Sequence, residues 1–555
     1  MLGVSGVINL VLVVLVMSVV MVFLAGQGVM VVLDGFIGVK VESMNMGSGL
    51  SMGGYVSVLL LVVGVVSAMV VLFSSVYMIG DSEGGSFILY VYMFIGGMFL
   101  LVSAYGSYWG LLGWEFLGVI SFMLIGYYGT RVAWGGAFVT MAVNRVGDVA
   151  MILVVMVGLV SSGLLGGGVS SNGALFVGVG VLLLVVTKSS QFPCSGWLPL
   201  AMAAPTPVSA LVHSSTLVIA GVVMAVYLEG IYGWSSGVLG WLVVMGTATL
   251  VSSSLSIIWE MDFKKVVALS TSIHLALMVL MLVEVGSRLV LSHMSFHAMF
   301  KSLLFVAVGL VILMSSHDQD HRGVMGGSGY FGAVGVVVLS SVWSLVGLMG
   351  FSGWVSKDFF MESVLMGGGE GLMWLLCVLV VLSVSVVYSV KLLFMFSEGG
   401  PLGVVTGLGW KGSSALAVVM VAMGVISSSL GVMSFNLLDG SEGVGVMSAV
   451  EKNLYWGLAL LALALVYVFG SGSKGIAGGM FFLQDLYQGA LGFMAVVLVC
   501  WVSKGEELFS ASTGSGVEGL MAGVMKMSAG AMSVVDLWGM VGGLVVVMSG
   551  ALMVI

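Results

Sequence analysis

Long apolar runs follow one another along almost the whole chain. A helix needs about 20 mostly apolar residues to cross the hydrocarbon core of a bilayer, and the pattern offers about fifteen runs of that kind. The predicted spans are residues 2–25, 56–79, 86–105, 108–128, 132–160, 174–203, 206–228, 238–258, 262–283, 288–315, 331–366, 370–397, 409–432, 454–472 and 537–555. The pattern therefore predicts an all-α polytopic membrane protein with about 15 transmembrane helices.

Two stretches depart from this pattern. In residues 27–54, apolar and polar residues alternate around glycines, which predicts a short hairpin outside the membrane. In residues 481–535, charged side chains such as Asp485, Lys504 and Glu518 interrupt the apolar runs. This second stretch is predicted to lie along the membrane as a lateral amphipathic helix, although residues 493–502 are apolar enough to form a re-entrant segment or an extra span.

Two of the predicted spans contain features that break a helix. Four of the five prolines lie between Pro193 and Pro207, and each removes a backbone donor and disfavours helix in the preceding residue. The second break is predicted at residues 350–353, which read Gly-Phe-Ser-Gly. Lys188 stands beside the first break and Lys357 beside the second. Interrupted helices at corresponding places in two halves of a chain indicate an inverted repeat with an ion path between the halves.

These features divide the chain into six predicted parts. The N-terminal helices and the hairpin are expected in residues 1–85. Two inverted five-helix repeats, each with one broken helix, are expected in residues 86–228 and 229–400. Additional transmembrane helices, the lateral segment and a C-terminal anchor helix are expected in residues 401–480, 481–535 and 536–555.

Composition excludes several classes of protein. Charged residues make up 7% of the 555 residues and hydrophobic residues 60%, whereas a soluble domain averages about 25% charged residues. An ordinary water-soluble enzyme is therefore excluded. The formal net charge is −8 and no cluster of Lys and Arg is present, which argues against nucleic-acid binding.

Cysteines and glycine motifs bear on cofactors. The three cysteines, Cys194, Cys377 and Cys500, show no C-x-x-C spacing, so a disulfide framework, a zinc site and an iron–sulfur site are not predicted. The sequence also lacks a glycine-rich nucleotide or flavin motif. We therefore expect this chain to bind no cofactor and to hold no redox centre.

Ionisable side chains inside the predicted spans are the candidate functional residues, because each costs at least ~2.5–3.5 kcal/mol to insert at mid-bilayer. The candidates are Glu115, Asp148, Lys188, His213, Lys264, Lys265, His293, His297, Lys301 and Lys357. A lysine in a medium of low dielectric constant loses its proton more readily, and a nearby carboxylate opposes that loss. Lys188, Lys301 and Lys357 are accordingly interpreted as proton carriers, and the alternative is a snorkelling or structurally paired lysine.

Three candidates share one face of a predicted helix. His293, His297 and Lys301 are spaced i, i+4 and i+8, which favours a proton-relay ladder over isolated core histidines. A metal site is disfavoured because no third ligand is near in sequence. The other histidines, His274, His317 and His321, are interpreted as loop or edge residues. Asp148 with Arg145 is interpreted as a structural ion pair, with a relay as the alternative.

Three nearly contiguous segments carry a resemblance to a known family. They are Thr187–Pro193, Trp197–Met202 and Ala204–Thr216, and shorter supporting segments lie at residues 73–78, 113–115, 144–148, 262–272, 297–301 and 355–358. In these segments the chain resembles the antiporter-like subunits of respiratory complex I.

The resemblance implies a function, partners and roles for residues. It implies proton translocation across the mitochondrial inner membrane while other subunits of the complex bind NADH, FMN, iron–sulfur clusters and ubiquinone. The implied partners are other membrane-arm subunits and membrane lipids. Glu115 and Lys188 would form a gating ion pair, and Lys357 would close the path toward one side. Between them, the resemblance implies a central polar axis formed by His213, Lys264 or Lys265, His293, His297 and Lys301.

Two other functions compete with this interpretation. A free-standing cation/proton antiporter of the multisubunit sodium type resembles the same family, but it should function without an NADH-oxidising partner. A structural membrane scaffold with a decayed channel would be expected to lack the lysines at the two breaks, yet Lys188 and Lys357 are both present.

Overall fold

The computed structural model describes residues 31–32, 49–50, 54–81, 83–105, 107–165, 171–232, 234–315, 319–320, 333–348, 351–366, 385–393 and 395–396, together with residues 420, 424 and 427. Several predictions fall outside these ranges. They are the spans at 2–25, 454–472 and 537–555, nearly all of the span at 409–432, more than half of that at 370–397, the lateral segment, Cys377, Cys500, His317 and His321.

The described part of the chain is mostly α-helical. Its helices are α1 (Gly54–Tyr77), α2 (Gly84–Ser103), α3 (Ser107–Ile125), α4 (Arg131–Leu165), α5 (Ser171–Lys188), α6 (Trp197–Ala201), α7 (Thr206–Leu211), α8 (Leu217–Tyr232), α9 (Ser236–Trp259), α10 (Phe263–Glu284), α11 (Ser287–Met314), α12 (Ala333–Val346) and α13 (Ser352–Met366). Residues 385–393 are also helical. A π-helical turn, Val212–Thr216, joins α7 to α8.

Within these ranges, eight helical stretches are long and apolar enough to cross a membrane. They are Val58–Tyr77, Gly84–Ser103, Gly110–Tyr128, Arg131–Val157, Thr206–Gly230, Ser236–Trp259, Phe263–Glu284 and Ser287–Leu313. The chain is therefore a multi-pass helical membrane protein, as the apolar pattern predicted.

A small antiparallel sheet accompanies the helices. Val31–Val32 pairs with Gly49–Leu50, inside the stretch for which the sequence predicts a hairpin. Ala104–Tyr105 adds a third strand beside Gly49–Leu50. The sequence did not predict this strand, because residues 104 and 105 continue an apolar run that reads as the end of a helix.

Both predicted breaks are present. Helix α5 ends at Lys188, and residues 189–205 form turns, a 3₁₀ turn and the short helix α6 before α7 begins. The second break separates α12 from α13. Its close packing depends on glycine, because a Cβ atom on Gly353 would lie 2.0 Å from the backbone oxygen of Ser344. Gly347 has a φ of +83°, which L side chains rarely adopt.

Helices α10 and α11 form the centre of the described bundle. In their membrane-spanning stretches 94% and 89% of residues are buried, against 44% in α2 and in α9. Most polar side chains on α10 and α11 are therefore surrounded by protein rather than by lipid. This arrangement brings Lys301, His293 and His297 into the interior.

Candidate functional site

Four charged side chains on α3, α4 and α5 form a continuous chain of ion pairs. Glu115 pairs with Arg145, Arg145 lies 3.3 Å from Asp148, and Asp148 Oδ1 lies 3.1 Å from Lys188 Nζ. The Glu115 and Arg145 side chains are 30% and 36% exposed, whereas those of Asp148 and Lys188 are 3% and 2% exposed. The charges thus alternate in sign along a path that leads from a partly exposed end to a buried end.

The prediction of a direct ion pair between Glu115 and Lys188 is wrong. Lys188 binds Asp148 instead, and Glu115 binds Arg145. The reason is geometric: Asp148 follows Arg145 by one helical turn on α4, so Arg145 reaches both carboxylates while the buried Asp148 stands next to Lys188. The pairing of Asp148 with Arg145 was predicted, but its extension to Lys188 was not.

Tight packing holds Lys188 in place. Its Nζ lies 4.5 Å from the centre of the Trp114 ring, a cation–π distance. Two glycines on the neighbouring helices allow close packing around the end of α5. A Cβ on Gly147 would lie 2.4 Å from Thr187 Oγ1, and one on Gly221 would lie 3.1 Å from Lys188 Cβ.

Polar groups continue from Lys188 through the first break. The Gln191 amide donates to the Ser189 carbonyl at 3.0 Å and accepts from Thr249 of α9 at 2.7 Å. His213 lies in the π-helical turn, and its ring centre is 6.1 Å from that of Trp197. Both ring nitrogens of His213 are buried and have no hydrogen-bond partner among the described residues. Single π-helical turns are frequent at functional sites.

The two adjacent lysines of α10 differ in environment. Lys264 is buried and donates to the Ala204 carbonyl at 3.1 Å, within the first break. Lys265 has a 41% exposed side chain and pairs with Asp262 at 2.5 Å. Of the two lysines that the resemblance offered for the axis, the structure therefore brings only Lys264 into the interior.

A second buried polar cluster joins α10, α11, α13 and the helical segment 385–393. Lys301 donates to Ser270 Oγ at 2.6 Å, and His293 Nδ1 lies 2.7 Å from Ser356 Oγ. His297 is fully buried one turn from Lys301, and both of its ring nitrogens have no hydrogen-bond partner in the described ranges. The three residues predicted as a ladder are thus all buried on α11.

The interpretation of His274 as a loop or edge residue is wrong. His274 lies in the middle of α10 and is 1% exposed. Its Nδ1 is 3.2 Å from His293 Nε2, and its Nε2 is 2.7 Å from the Tyr388 hydroxyl. Its ring centre lies 5.4 Å from that of His297. His274 therefore belongs to the second cluster.

Two further lysines bind the carboxyl ends of helices. Lys357 donates to the carbonyls of Leu345 and Val346, at 2.6 and 3.0 Å, where α12 ends. Lys391 donates to three carbonyls at the end of α9, those of Ile257, Ile258 and Glu260. A helix C-terminus carries a partial negative charge, so it stabilises a nearby ammonium group. Lys357 thus receives from α12 the kind of support that Asp148 gives to Lys188.

Glu260 lies in the short connection between α9 and α10. Burial raises the pKa of its carboxyl group above the usual range, while the charge of Lys265 lowers it. In the described ranges no group of three or more His, Cys, Asp and Glu side chains is arranged to hold a metal ion.

The sequence also matches the model of a known protein family. The model described as "NADH:quinone oxidoreductase/Mrp antiporter, TM" matches residues 104–384, just over half of the chain. The chain belongs to this family. The region matched by the NADH:quinone oxidoreductase/Mrp antiporter family includes both broken helices, the first cluster and the members of the second cluster on α10, α11 and α13, whereas Tyr388 lies beyond it.

Curated relatives in the family are named NADH-ubiquinone oxidoreductase chain 5. The relative from Ascaris suum is 36% identical over 54% of this chain and 55% of its own length. The relative from Neurospora crassa is 33% identical over 62% of this chain and 50% of its own length. That from Aedes aegypti is 33% identical over 66% of this chain and 64% of its own length. The chain thus matches about half the length of the first two of these relatives.

Solved structures show the same fold. A chain of the Mrp complex from a Dietzia species is 20% identical, with a TM-score of 0.71 over 98% of this chain and 60% of that chain. A chain of the membrane-bound sulfane sulfur reductase, an archaeal respiratory membrane complex, is 18% identical, with a TM-score of 0.60 over 82% of this chain and 93% of that chain. At these identities the likeness concerns the antiporter-type fold alone.

Sequence reasoning missed several side chains that this family member places around its ionisable groups. They are Trp114, Gln191, Ser270, Ser356 and Tyr388. A tryptophan, a serine or a tyrosine in an apolar run carries no pattern that separates a site residue from a core residue. Their positions follow only from which helices pack together.

Proposed function

We propose that this chain is a core membrane subunit of respiratory complex I that moves protons across the mitochondrial inner membrane. Electron transfer from NADH to ubiquinone would take place in other subunits, which would bind the NADH, FMN, iron–sulfur clusters and ubiquinone, and this chain would bind no cofactor. Other membrane-arm subunits and membrane lipids would be its partners. The observation that carries the proposal is the buried ion pair between Asp148 and Lys188 at a helix break, together with a second buried cluster that contains Lys301 and with the buried Lys357.

The first cluster suggests how a proton would be held and released. A buried lysine keeps its proton while a carboxylate lies beside it, and the neutral amine is favoured when that carboxylate is drawn away or neutralised. Arg145 competes with Lys188 for Asp148, because it lies 3.3 Å from the same side chain. A shift of Asp148 toward Arg145 would weaken the hold on the Lys188 proton. That proton would then pass along the interior toward His213, Lys264 and the second cluster.

The broken helices support a repeated architecture. We assign residues 86–228 and 229–400 to two inverted five-helix repeats within a chain of about 15 transmembrane helices. In each repeat the broken helix has a buried lysine beside the break, Lys188 in the first and Lys357 in the second. Residues 481–535 would lie along the membrane and brace neighbouring subunits. Truncation after Gly472 should then impair assembly, and normal assembly and pumping of the truncated chain would contradict this bracing role.

A cation/proton antiporter function is the alternative that the fold alone would allow. The relatives named above are subunits of NADH-ubiquinone oxidoreductase, whereas the likeness to the Mrp complex is one of fold. No observation on the described residues favours the antiporter function over the first proposal.

The test is purification of the chain from native membranes, followed by measurement of proton pumping. We expect the chain to copurify with a flavin-containing complex that oxidises NADH. In that complex Lys188→Met should lower the number of protons moved per NADH oxidised. Arg131→Met is a matched control, because Arg131 is an exposed cation at the start of α4. Copurification without NADH oxidase activity, or an unchanged ratio in Lys188→Met, would contradict the proposal.

A further inference from the structure

Trp114 of α3 places the face of its indole ring against the ammonium group of Lys188. Lys188 Nζ lies 4.5 Å from the centre of the ring, and both residues are 1% exposed. We propose that Trp114 is a positioning residue, which holds the Lys188 ammonium when Asp148 is drawn toward Arg145. The proposal rests on the proposed function, because it assumes that Lys188 carries a proton.

The indole offers Lys188 the face of its ring and not a hydrogen bond. An ammonium group and an indole N–H are both donors, so they do not hydrogen-bond to each other. The indole Nε1 is buried and has no hydrogen-bond partner among the described residues. The face of an aromatic ring carries partial negative charge, which attracts a cation within about 6 Å of the ring centre. The contact between Trp114 and Lys188 is therefore electrostatic.

Close packing of α3 against α2 fixes the position of the ring. Gly113 precedes Trp114, and a Cβ atom on Gly113 would lie 2.8 Å from the backbone nitrogen of Leu101. Side chains do not approach a backbone so closely, so glycine permits this contact between the two helices. The next residue, Glu115, has a 30% exposed side chain and pairs with Arg145. Trp114 and Glu115 thus point to different sides of α3, inward and outward.

Asp148 and Trp114 hold the same ammonium group in different ways. Asp148 Oδ1 lies 3.1 Å from Lys188 Nζ, but Asp148 Oδ2 also lies 3.3 Å from Arg145. The attraction of the carboxylate therefore changes with its position between the two cations. The ring does not titrate and carries no net charge to be drawn away, so its attraction remains when Asp148 moves.

The magnitude of this constant attraction is large enough to affect proton release. A desolvated cation–π contact favours the ammonium form over the neutral amine by about 30-fold. Without the ring, Lys188 would release its proton while Asp148 still lies beside it. The movement of Asp148 would then no longer control the release.

The competing explanation is that Trp114 only fills space beside Lys188. Phenylalanine and leucine separate the two explanations, because phenylalanine keeps a ring face that attracts a cation and leucine does not. Both replacements also reduce the volume of the side chain. The same two replacements at Trp134 of α4, whose ring packs against Phe122 and Phe138, are the matched controls for this loss of volume.

The experiment measures protons moved per NADH oxidised in membrane vesicles that contain the assembled complex with each variant. We expect Trp114→Leu to lower this ratio toward that of Lys188→Met, whereas Trp114→Phe should keep most of it. Trp134→Leu and Trp134→Phe should keep the wild-type ratio. A loss of folding would reduce the amount of complex but not the ratio per turnover.

A double-mutant cycle measures the contact itself. Trp114→Phe weakens the attraction for a cation, and Lys188→Met removes the cation. We expect Trp114→Phe to lower the unfolding temperature of the assembly more when Lys188 is present than when methionine replaces it. Additive effects of the two substitutions would refute the cation–π contact.

The outcomes separate the role of Trp114 from the proposed function. If Lys188→Met lowers the proton ratio while Trp114→Leu keeps the wild-type ratio, the role of Trp114 is refuted and the proposed function stands. An equal fall in Trp114→Phe and Trp114→Leu would also refute it, because the ring face would then not matter. If Lys188→Met keeps the wild-type ratio, the proposed function fails as well. Should Trp114→Leu not assemble, the double-mutant cycle decides the question.

Discussion

Replacement of Asp148 by asparagine should destabilise the chain unless Lys188 is replaced at the same time. Asp148→Asn keeps the size of the side chain and removes its negative charge. Lys188 would then be buried at 2% exposure without its carboxylate partner. It would either hold an uncompensated charge or release its proton, and the loss of one partner of a buried ion pair costs about 3–5 kcal/mol.

The distance in the structure gives a similar magnitude. At 3.1 Å between Lys188 Nζ and Asp148 Oδ1, two unit charges attract each other by about 5 kcal/mol at an effective dielectric constant of about 20. The double variant Asp148→Asn with Lys188→Met removes both charges. A buried pair replaced by uncharged groups is often neutral or stabilising, so the double variant should recover most of the stability lost in Asp148→Asn.

The assay is a double-mutant cycle on the purified complex, with thermal unfolding of the assembly and protons moved per NADH as the two readouts. We expect Asp148→Asn to unfold at a lower temperature than the double variant, while both variants have a lowered proton ratio. If the effects of the two substitutions on stability are additive, Asp148 and Lys188 do not interact, and the argument for the first cluster is refuted.

Two further predictions concern packing and helix ends. Gly147→Ala would place a Cβ 2.4 Å from Thr187 Oγ1, so we expect less assembled complex on native gels. Gly135→Ala on the same helix has nothing within 4 Å of its Cβ and should assemble normally. Equal assembly of the two variants would disprove the packing argument. Lys391→Met leaves three carbonyls at the end of α9 without their ammonium donor. The loss should lower the free energy of unfolding by about 1–3 kcal/mol without changing the number of protons moved per NADH. A changed number would place Lys391 in the proton path.

The helical architecture was largely readable from hydropathy. The predicted spans 238–258, 262–283 and 288–315 differ from α9, α10 and α11 by at most two residues at either end. Both breaks were also predicted, because proline removes a backbone donor and a Gly-rich segment weakens a helix. The third strand was not predicted, because two apolar residues at the end of a helical run show no pattern that separates a strand from the helix.

The sequence predicted which charged residues belong to the site but not which of them pair with each other. The cost of charge in a membrane identified Lys188, Asp148 and Lys301, yet sequence spacing does not say which helices are neighbours. The pairing of Lys188 with Asp148 therefore had to come from the packing of α4 against α5. For His274 a usable signal was present: it lies twelve residues into the predicted span 262–283 and one helical turn after Ser270, which is a position deep in the membrane rather than at its edge.

The most direct test of the account is the number of protons moved per NADH oxidised by an assembled complex that carries Lys301→Met. Lys301 is fully buried on the central helix α11, where it donates to Ser270, and methionine keeps its length without a titratable group. We predict a complex that assembles and oxidises NADH but moves fewer protons per turnover. A ratio equal to that of the wild type would contradict the claim that protons pass through the buried lysines of this chain.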